Sequence, residues 1–339
     1  MGIRPTAMEG MGLMERESSF WQDRHVLVTG STGLLGGWLT KELIDRGANV
    51  VALVRDRVSR SVLNDPLTQD RITEVRGSVE DLELMTRVLN EYEIEAVFHL
   101  AAQTIVSVAL RDPVSTFTTN IQGTWSVLEA CRRAKTVRRI VVASSDKAYG
   151  GSPHLPYRED TPLLGRQPYD VSKVCADLLA QSYASSYGLP IVITRCGNLF
   201  GGGDLNWSRI IPGTVRSALR GTPPVIRSDG TLVRDYFFVK DAVEAYLLLA
   251  EKADREDLRG QAFNFSENRP MTVLEICKKT LQAAGRSNLS ITVQGNPTLE
   301  IQEQWLDSAR ARTGLGWKPR YGLEAGLTET VHWYEKYLS

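Results

Sequence analysis

An apolar run that ends in spaced glycines and passes straight into a helix-spaced apolar stretch leaves few folds open to a chain. Here the run is His25–Thr29, the glycines are Gly30, Gly33 and Gly36, and the apolar residues that follow are Leu34, Leu35, Trp38, Leu39, Leu43 and Ile44. Gly47 closes that helix, and Asn49–Val54 reads as a second buried strand. The alternation continues with a strand at Ile72–Val75, a helix near 82–92, a strand at Ala96–Leu100 and a helix near 114–134. A strand at Arg139–Ala143, a helix over about 169–187 and a strand at Pro190–Thr194 complete the series. None of these strands alternates with polar residues, so both faces of the sheet must be covered. That predicts a parallel, doubly wound α/β sheet of Rossmann type.

After about residue 200 the pattern loosens, with prolines at 212, 223, 224, 270, 297 and 319. The expected organisation is a flexible leader over 1–22, a dinucleotide-binding domain over 23–200, and a smaller C-terminal α/β substrate-binding lobe over 201–339. That lobe is expected to interleave with the core, segments such as 235–250 returning to it. The leader carries Met1, Met8, Met11 and Met14 among charged residues and lacks the apolar core of a signal peptide. No run approaches a membrane span. The 40 basic residues equal the 40 acidic ones, which argues against a nucleic-acid or membrane-surface partner. Cys131, Cys175, Cys196 and Cys277 are scattered, without disulfide or metal spacing, as in a reduced cytoplasmic protein with no metal.

Placed between strand and helix, Gly30, Gly33 and Gly36 allow a tight turn and let a pyrophosphate reach the backbone amides at the helix N-terminus. Thr32, Leu34 and Leu35 share that cofactor loop. NAD sites usually end the second strand with an acid that accepts the ribose hydroxyl. Val54 stands at that position here, with Arg55 next and Arg57 and Arg60 nearby. Arginine pairs with a 2′-phosphate, so the reading of NAD(P) leans to NADP, with Asp56 the alternative ribose contact.

Tyr169 and Lys173 lie four residues apart on one helical face, downstream of the strand closed by Ser144 and Ser145. An ammonium beside a phenol lowers the phenol's pKa and makes it a base for a hydroxyl proton while hydride leaves the same carbon. The same spacing arises by chance on many helices. Its place after the glycine loop gives it meaning.

These motifs, taken with His99–Ala102, Asn120–Thr124, Arg195–Asn198 and Arg234–Asp241, make the chain resemble the extended short-chain dehydrogenases over roughly 24–338. That family includes sugar-nucleotide epimerases and 4,6-dehydratases. The resemblance implies that Ser145 orients a sugar 4-hydroxyl, Tyr169 is the base, and Lys173 holds the nicotinamide ribose. It places Leu100, Ala101, Ala102, Ser78 and Val79 along the cofactor. It gives Asn198 and Arg234 to the substrate diphosphate, and Gln103 and Arg209 to substrate binding. It also implies a homodimer built on the helices near 114–134 and 169–187.

The segment Ser145-Asp146-Lys147 resembles the CDP-glucose 4,6-dehydratase branch, as do Gln103, Gly201–Asp204 and Gln304–Asp307. The resemblance implies that C4 oxidation acidifies the C5 hydrogen, Lys147 removes it, and Asp146 protonates the departing 6-hydroxyl. Lys147 would have to be neutral, helped by burial and a neighbouring cation such as Lys173 or oxidised nicotinamide, and Asp146 would have to stay protonated. Three readings remain beside this one: an Asp-Lys pair solvated in a turn, a 4- or 2-epimerase, and a non-catalytic dinucleotide sensor. Ser78, standing where many relatives carry Asp, and Val54 before Arg55 leave the choice of NAD or NADP open.

Overall fold

The computed structural model describes residues 20–339, apart from 57, 59, 60 and 297–299. The expected leader falls almost wholly outside these residues, as do Arg57 and Arg60. Trp21, inside the stretch expected as leader, is fully buried and donates its indole N–H to Glu251 across 2.8 Å.

The first half alternates strand and helix: β1 (His25–Thr29), α1 (Leu34–Asp45), β2 (Asn49–Val54), β3 (Ile72–Arg76), α2 (Leu82–Glu91) and β4 (Ala96–His99). Helix α3 (Gly123–Arg133), β5 (Arg139–Ala143), α4 (Pro168–Tyr187) and β6 (Ile191–Cys196) follow. The expected helix over 114–134 is broken: a short helix at Pro113–Phe117 runs into a π-turn at Thr118–Gln122 before α3 begins.

The later chain supplies β7 (Asn198–Phe200), α5 (Ile210–Leu219), β8 (Val233–Arg234), β9 (Tyr236–Phe238) and α6 (Val239–Glu251). It continues with β10 (Ala262–Phe265), β11 (Met271–Thr272), α7 (Val273–Ala283), β12 (Glu303–Gln304) and α8 (Gly322–Leu338). One seven-stranded sheet runs β10-β6-β5-β4-β1-β2-β3, every pair parallel. Its order reverses between β1 and β4, and in open α/β sheets ligands bind at the carboxyl ends beside such a reversal.

The strands are buried on both faces because their side chains alternate. Val26, Val28, Ala96 and Phe98 point into one core, which α1, α6 and α8 cover. Leu27, Val51, Leu53 and Val97 point into the other, under α2, α3 and α4. Helix α6 packs on α1, β5 and β6, so it is part of the sheet domain although it lies beyond residue 200. Strand β10 is likewise a sheet strand from the C-terminal half. The smaller lobe keeps a three-stranded sheet, β11-β8-β12. Among the described residues no helix is long and apolar enough to cross a membrane, and no group of three His, Cys, Asp or Glu side chains could hold a metal ion. All four cysteines are free.

Candidate active site

The glycine loop turns at Gly30 with φ +72°, a conformation that side chains resist. A Cβ there would stand 2.8 Å from the Ala101 nitrogen, and one on Gly36 would stand 2.1 Å from the Gly30 carbonyl oxygen. Both approaches close the space between β1, the end of β4 and α1. Helix α1 begins at Gly33, which is exposed and offers no side-chain cap, and its first turn holds no acid. Its free amides and positive dipole end therefore fit a pyrophosphate. Thr32 and Leu34 are half-buried in the same turn, whereas Leu35 packs into the core.

Thr29 fixes the opposite wall of the cradle. Its hydroxyl oxygen accepts from the amides of Leu100 (3.1 Å) and Ala101 (3.2 Å). It also contacts His99 Nδ1 at 3.0 Å. His99 Nε2 meets Thr124 Oγ1 at 3.1 Å, and that hydroxyl donates to the Asn120 carbonyl. Thr124 therefore accepts from Nε2–H, and burial pushes His99 down to about 3, so the imidazole is a neutral link.

At the far end of the cradle Arg55 is exposed just past β2, its Nε donating to Asp56 across 2.6 Å. Ser78 donates to Glu80, while Val79 is buried against Gly123.

Tyr169 and Lys173 lie on the first turns of α4, both buried. The Tyr169 phenol is pushed up to about 12, chiefly by burial, despite a hydrogen bond with Ser145. The sequence argument expected Lys173 to lower that pKa. Instead the Lys173 ammonium donates to the Ala143 carbonyl at 2.9 Å, and it is absent from the main influences on the phenol. Burial also brings Lys173 down to about 8.

Ser145 closes β5 and caps a short 3-10 turn, Asp146–Tyr149. Its hydroxyl donates to Asp146 Oδ1 at 3.0 Å, leaving Asp146 Oδ2 buried without a partner. Burial raises the Asp146 carboxyl, against the opposing pull of Lys147, Ser145 and Arg234. Burial lowers Lys147, with Arg234 acting in the same direction and Asp146 against it. Among the protein's own groups the cation acting on Lys147 is Arg234, where the expectation had offered Lys173 or oxidised nicotinamide. A solvated Asp-Lys turn would show neither shift.

The expected substrate residues divide. Arg234, 5% exposed, holds Glu300 at 3.1 Å and donates to the Val233 and Gln302 carbonyls. Its charge acts on both Asp146 and Lys147. Arg209 caps the start of α5, binds Asp204 at 3.0 Å, and its charge reaches Tyr169. Asn198 lies half-buried on β7, paired with Tyr236. The Gln103 carboxamide folds its own loop, donating to Ile105 and Thr116 and accepting from the Ile105 amide.

Sequence reasoning gave no role to two buried amides. Asn120, within the π-turn, donates to Ser172 and to the Gln103 carbonyl and accepts from the Gln103 amide, so it locks α4 to the loop after β4. Gln304 accepts from Lys147 Nζ at 2.6 Å. A local motif search has no signal for a partner 157 residues away.

A parallel sheet with this glycine cradle and a Ser-Tyr-Lys cluster at its carboxyl edge defines an extended short-chain dehydrogenase using a nicotinamide dinucleotide. A sequence profile described as GDP-mannose 4,6 dehydratase matches residues 27–330, and the chain belongs to that family, a group of nucleotide-sugar 4,6-dehydratases. The CDP-glucose 4,6-dehydratase of Salmonella typhimurium is 30% identical over 336 residues, covering 95% of this chain and 93% of that protein. A dTDP-glucose 4,6-dehydratase from Bacillus anthracis, solved in complex with NAD, superposes with a TM-score of 0.82 at 27% identity. That match covers 92% of this chain and 97% of the other. A UDP-glucose 4-epimerase from Thermotoga maritima, solved with UDP-glucose, gives 0.84 at 29%, covering 93% and 100%.

Proposed function

We propose that this chain is a lyase converting a nucleotide-diphosphohexose, CDP-glucose foremost, into its 4-keto-6-deoxy derivative. The observation that carries this reading is the Asp146–Lys147 pair beside Ser145 and Tyr169, an acid held towards its protonated form next to an amine held towards its neutral form. An epimerase has no water to eliminate and no use for that opposition. The relative from Salmonella supports CDP-glucose as the first substrate.

Gly30, Gly33 and Gly36, with the amides at the start of α1, hold the pyrophosphate. Ser78 and Val79 flank the adenine, Leu100, Ala101 and Ala102 line the nicotinamide side, and Lys173 binds its ribose. When bound there, the dinucleotide would supply the hydride acceptor for C4 and the same hydride for C6, with no net redox change. Arg55 favours a 2′-phosphate, and hence NADP. Asp56 engages only its Nε, which leaves the terminal nitrogens to phosphate oxygens.

Ser145 orients the sugar 4-hydroxyl, and Tyr169 takes its proton as C4 becomes a ketone. Lys147 then removes the acidified C5 proton, and Asp146 protonates the 6-hydroxyl, which leaves as water. Arg209 and Asn198 hold the diphosphate, and Arg234 joins them by exchanging Glu300 for a phosphate oxygen. The protein works as a cytoplasmic homodimer through the faces of α3 and α4.

The test is mass spectrometry after incubation with NAD or NADP and a panel of CDP-, GDP-, UDP- and dTDP-hexoses. Loss of one water from one substrate establishes the reading and names base and sugar together. An isomer of unchanged mass transfers the chain to the epimerases, and Lys147 then loses its role as base.

A further inference from the structure

The buried carboxamide of Gln304 touches both halves of the Asp146–Lys147 pair. Its Oε1 accepts from Lys147 Nζ at 2.6 Å, and its Nε2 donates to the Asp146 carbonyl at 2.8 Å. Gln304 is 0% exposed, its bond to Asp146 is buried and its bond to Lys147 is part-buried. It comes from β12 in the lobe sheet, whereas Asp146 and Lys147 follow β5 of the main sheet. In register, Gln304 lies opposite Arg234 on β8. The lobe thus presents a substrate-side arginine and a carboxamide for Lys147 from adjacent strands.

We infer that Gln304 is a positioning residue for the C5 proton abstraction, holding Lys147 in place as a neutral amine and fixing the turn that carries Asp146. The inference rests on the dehydratase reading. A carboxamide suits the task chemically. It offers one acceptor and one donor at a fixed spacing, so a single side chain orients the amine and pins the neighbouring backbone. Its acceptor carries no charge, so it orients Lys147 while favouring the ammonium form far less than a carboxylate would. One amine hydrogen goes to Gln304, and the nitrogen lone pair stays available for the proton at C5.

The charged groups that act on Lys147 come from every side: Asp146 on its own turn, Arg234 on β8, Glu300 ahead of β12, and Asp170 on α4. Arg234 opposes protonation while the three carboxylates favour it, so a neutral partner at position 304 keeps that balance from tipping towards the ammonium. The alternative is that Gln304 only packs the lobe against the turn. The two roles separate in the pH profile.

The experiment compares wild type, Gln304→Glu and Gln304→Leu on the nucleotide hexose that wild type dehydrates. It measures kcat against pH, incorporation of solvent deuterium at C5, and the near-ultraviolet absorbance of reduced nicotinamide during a single turnover. In Gln304→Glu the added carboxylate raises the Lys147 pKa, so the ascending limb of kcat moves to higher pH. In Gln304→Leu kcat falls about 100-fold, the scale of a ~1 Å misplacement of a reacting group. Deuterium incorporation falls with it, while C4 oxidation persists and reduced nicotinamide accumulates. The near-isosteric Glu variant keeps the test decisive if the Leu variant does not fold. An unmoved limb in Gln304→Glu, or parallel loss of C4 oxidation and elimination in both variants, overturns the inference and leaves Gln304 as packing. A wild type that yields only isomers removes the dehydratase reading itself, which is a different result.

Discussion

Ser145 donates its hydroxyl to one oxygen of Asp146 at 3.0 Å, while the other oxygen of that carboxyl is buried without a partner. A carboxylate so placed is costly, and burial accordingly raises its pKa. An acid shifted towards its protonated form is what a departing hydroxyl requires.

Asp146→Asn should lower kcat by about 10²–10⁴-fold, the usual contribution of a positioned general acid. The folded protein should be no less stable. A carboxyl whose folded pKa is raised weakens the fold above its unfolded pKa, and that deficit vanishes as pH falls into the ordinary carboxylate range. Asparagine removes the deficit. Thermal melts should therefore show the variant's advantage at neutral pH shrinking as the solution is acidified.

Lys147→Ala should block elimination and leave C4 oxidation in place. Reduced nicotinamide then builds up with no loss of water from the substrate. Full turnover in this variant would remove Lys147 from the mechanism. The substitution also strands the buried Oε1 of Gln304, which should cost about 1–3 kcal/mol in urea unfolding.

Gly36→Ala should abolish dinucleotide binding, because the new methyl would lie 2.1 Å from the Gly30 carbonyl oxygen. Backbone on both sides leaves nothing flexible to yield. Calorimetric titration with NAD and NADP should show no heat, whereas Gly314→Ala, where a Cβ meets nothing within 4 Å and φ is not positive, should bind as wild type does.

Arg55→Ala should weaken NADP and leave NAD nearly unchanged, through loss of a charge-assisted bond worth roughly 1.5–3 kcal/mol. Dissociation constants for the two dinucleotides, measured on both proteins, decide this. Equal losses for both would assign Arg55 to the adenosine edge generally and remove the preference for NADP.

Asp177→Ala should cost about 3–5 kcal/mol of stability by stranding the Arg195 guanidinium. The two side chains are 0% and 3% exposed and meet through paired bonds of 2.8 and 2.9 Å. Arg195 also donates to Tyr149 and to the Glu159 carbonyl, so the pair anchors the segment that follows the catalytic turn. Urea unfolding measures the loss. Replacing both residues with apolar side chains of similar size should recover much of it.

Some of the motifs that make the family legible prove to be structural. Asp241 accepts from the amides of Arg320, Tyr321 and Gly322 at 2.6–3.0 Å, so it caps α8 rather than meeting a ligand. Asp235 likewise accepts from the Leu306 and Arg269 amides. Asn120 reads in the sequence as a motif letter, and only the π-turn shows that it ties α4 to the loop after β4.

The sequence by itself determined the parallel sheet, the glycine cradle and the placing of Tyr169 and Lys173 on one helical face. Those features depend on periodicity and on contacts within a few residues, which local chemistry specifies. Tertiary structure alone decided the electrostatics and the partners. Burial set the phenol at about 12 and moved Asp146 and Lys147 in opposite directions. The partners came from afar: Arg234 of the lobe acts on Lys147, and Gln304 reaches Lys147 across 157 residues. Desolvation and long-range pairing depend on what the whole chain brings around a group, and no stretch of sequence carries that information on its own.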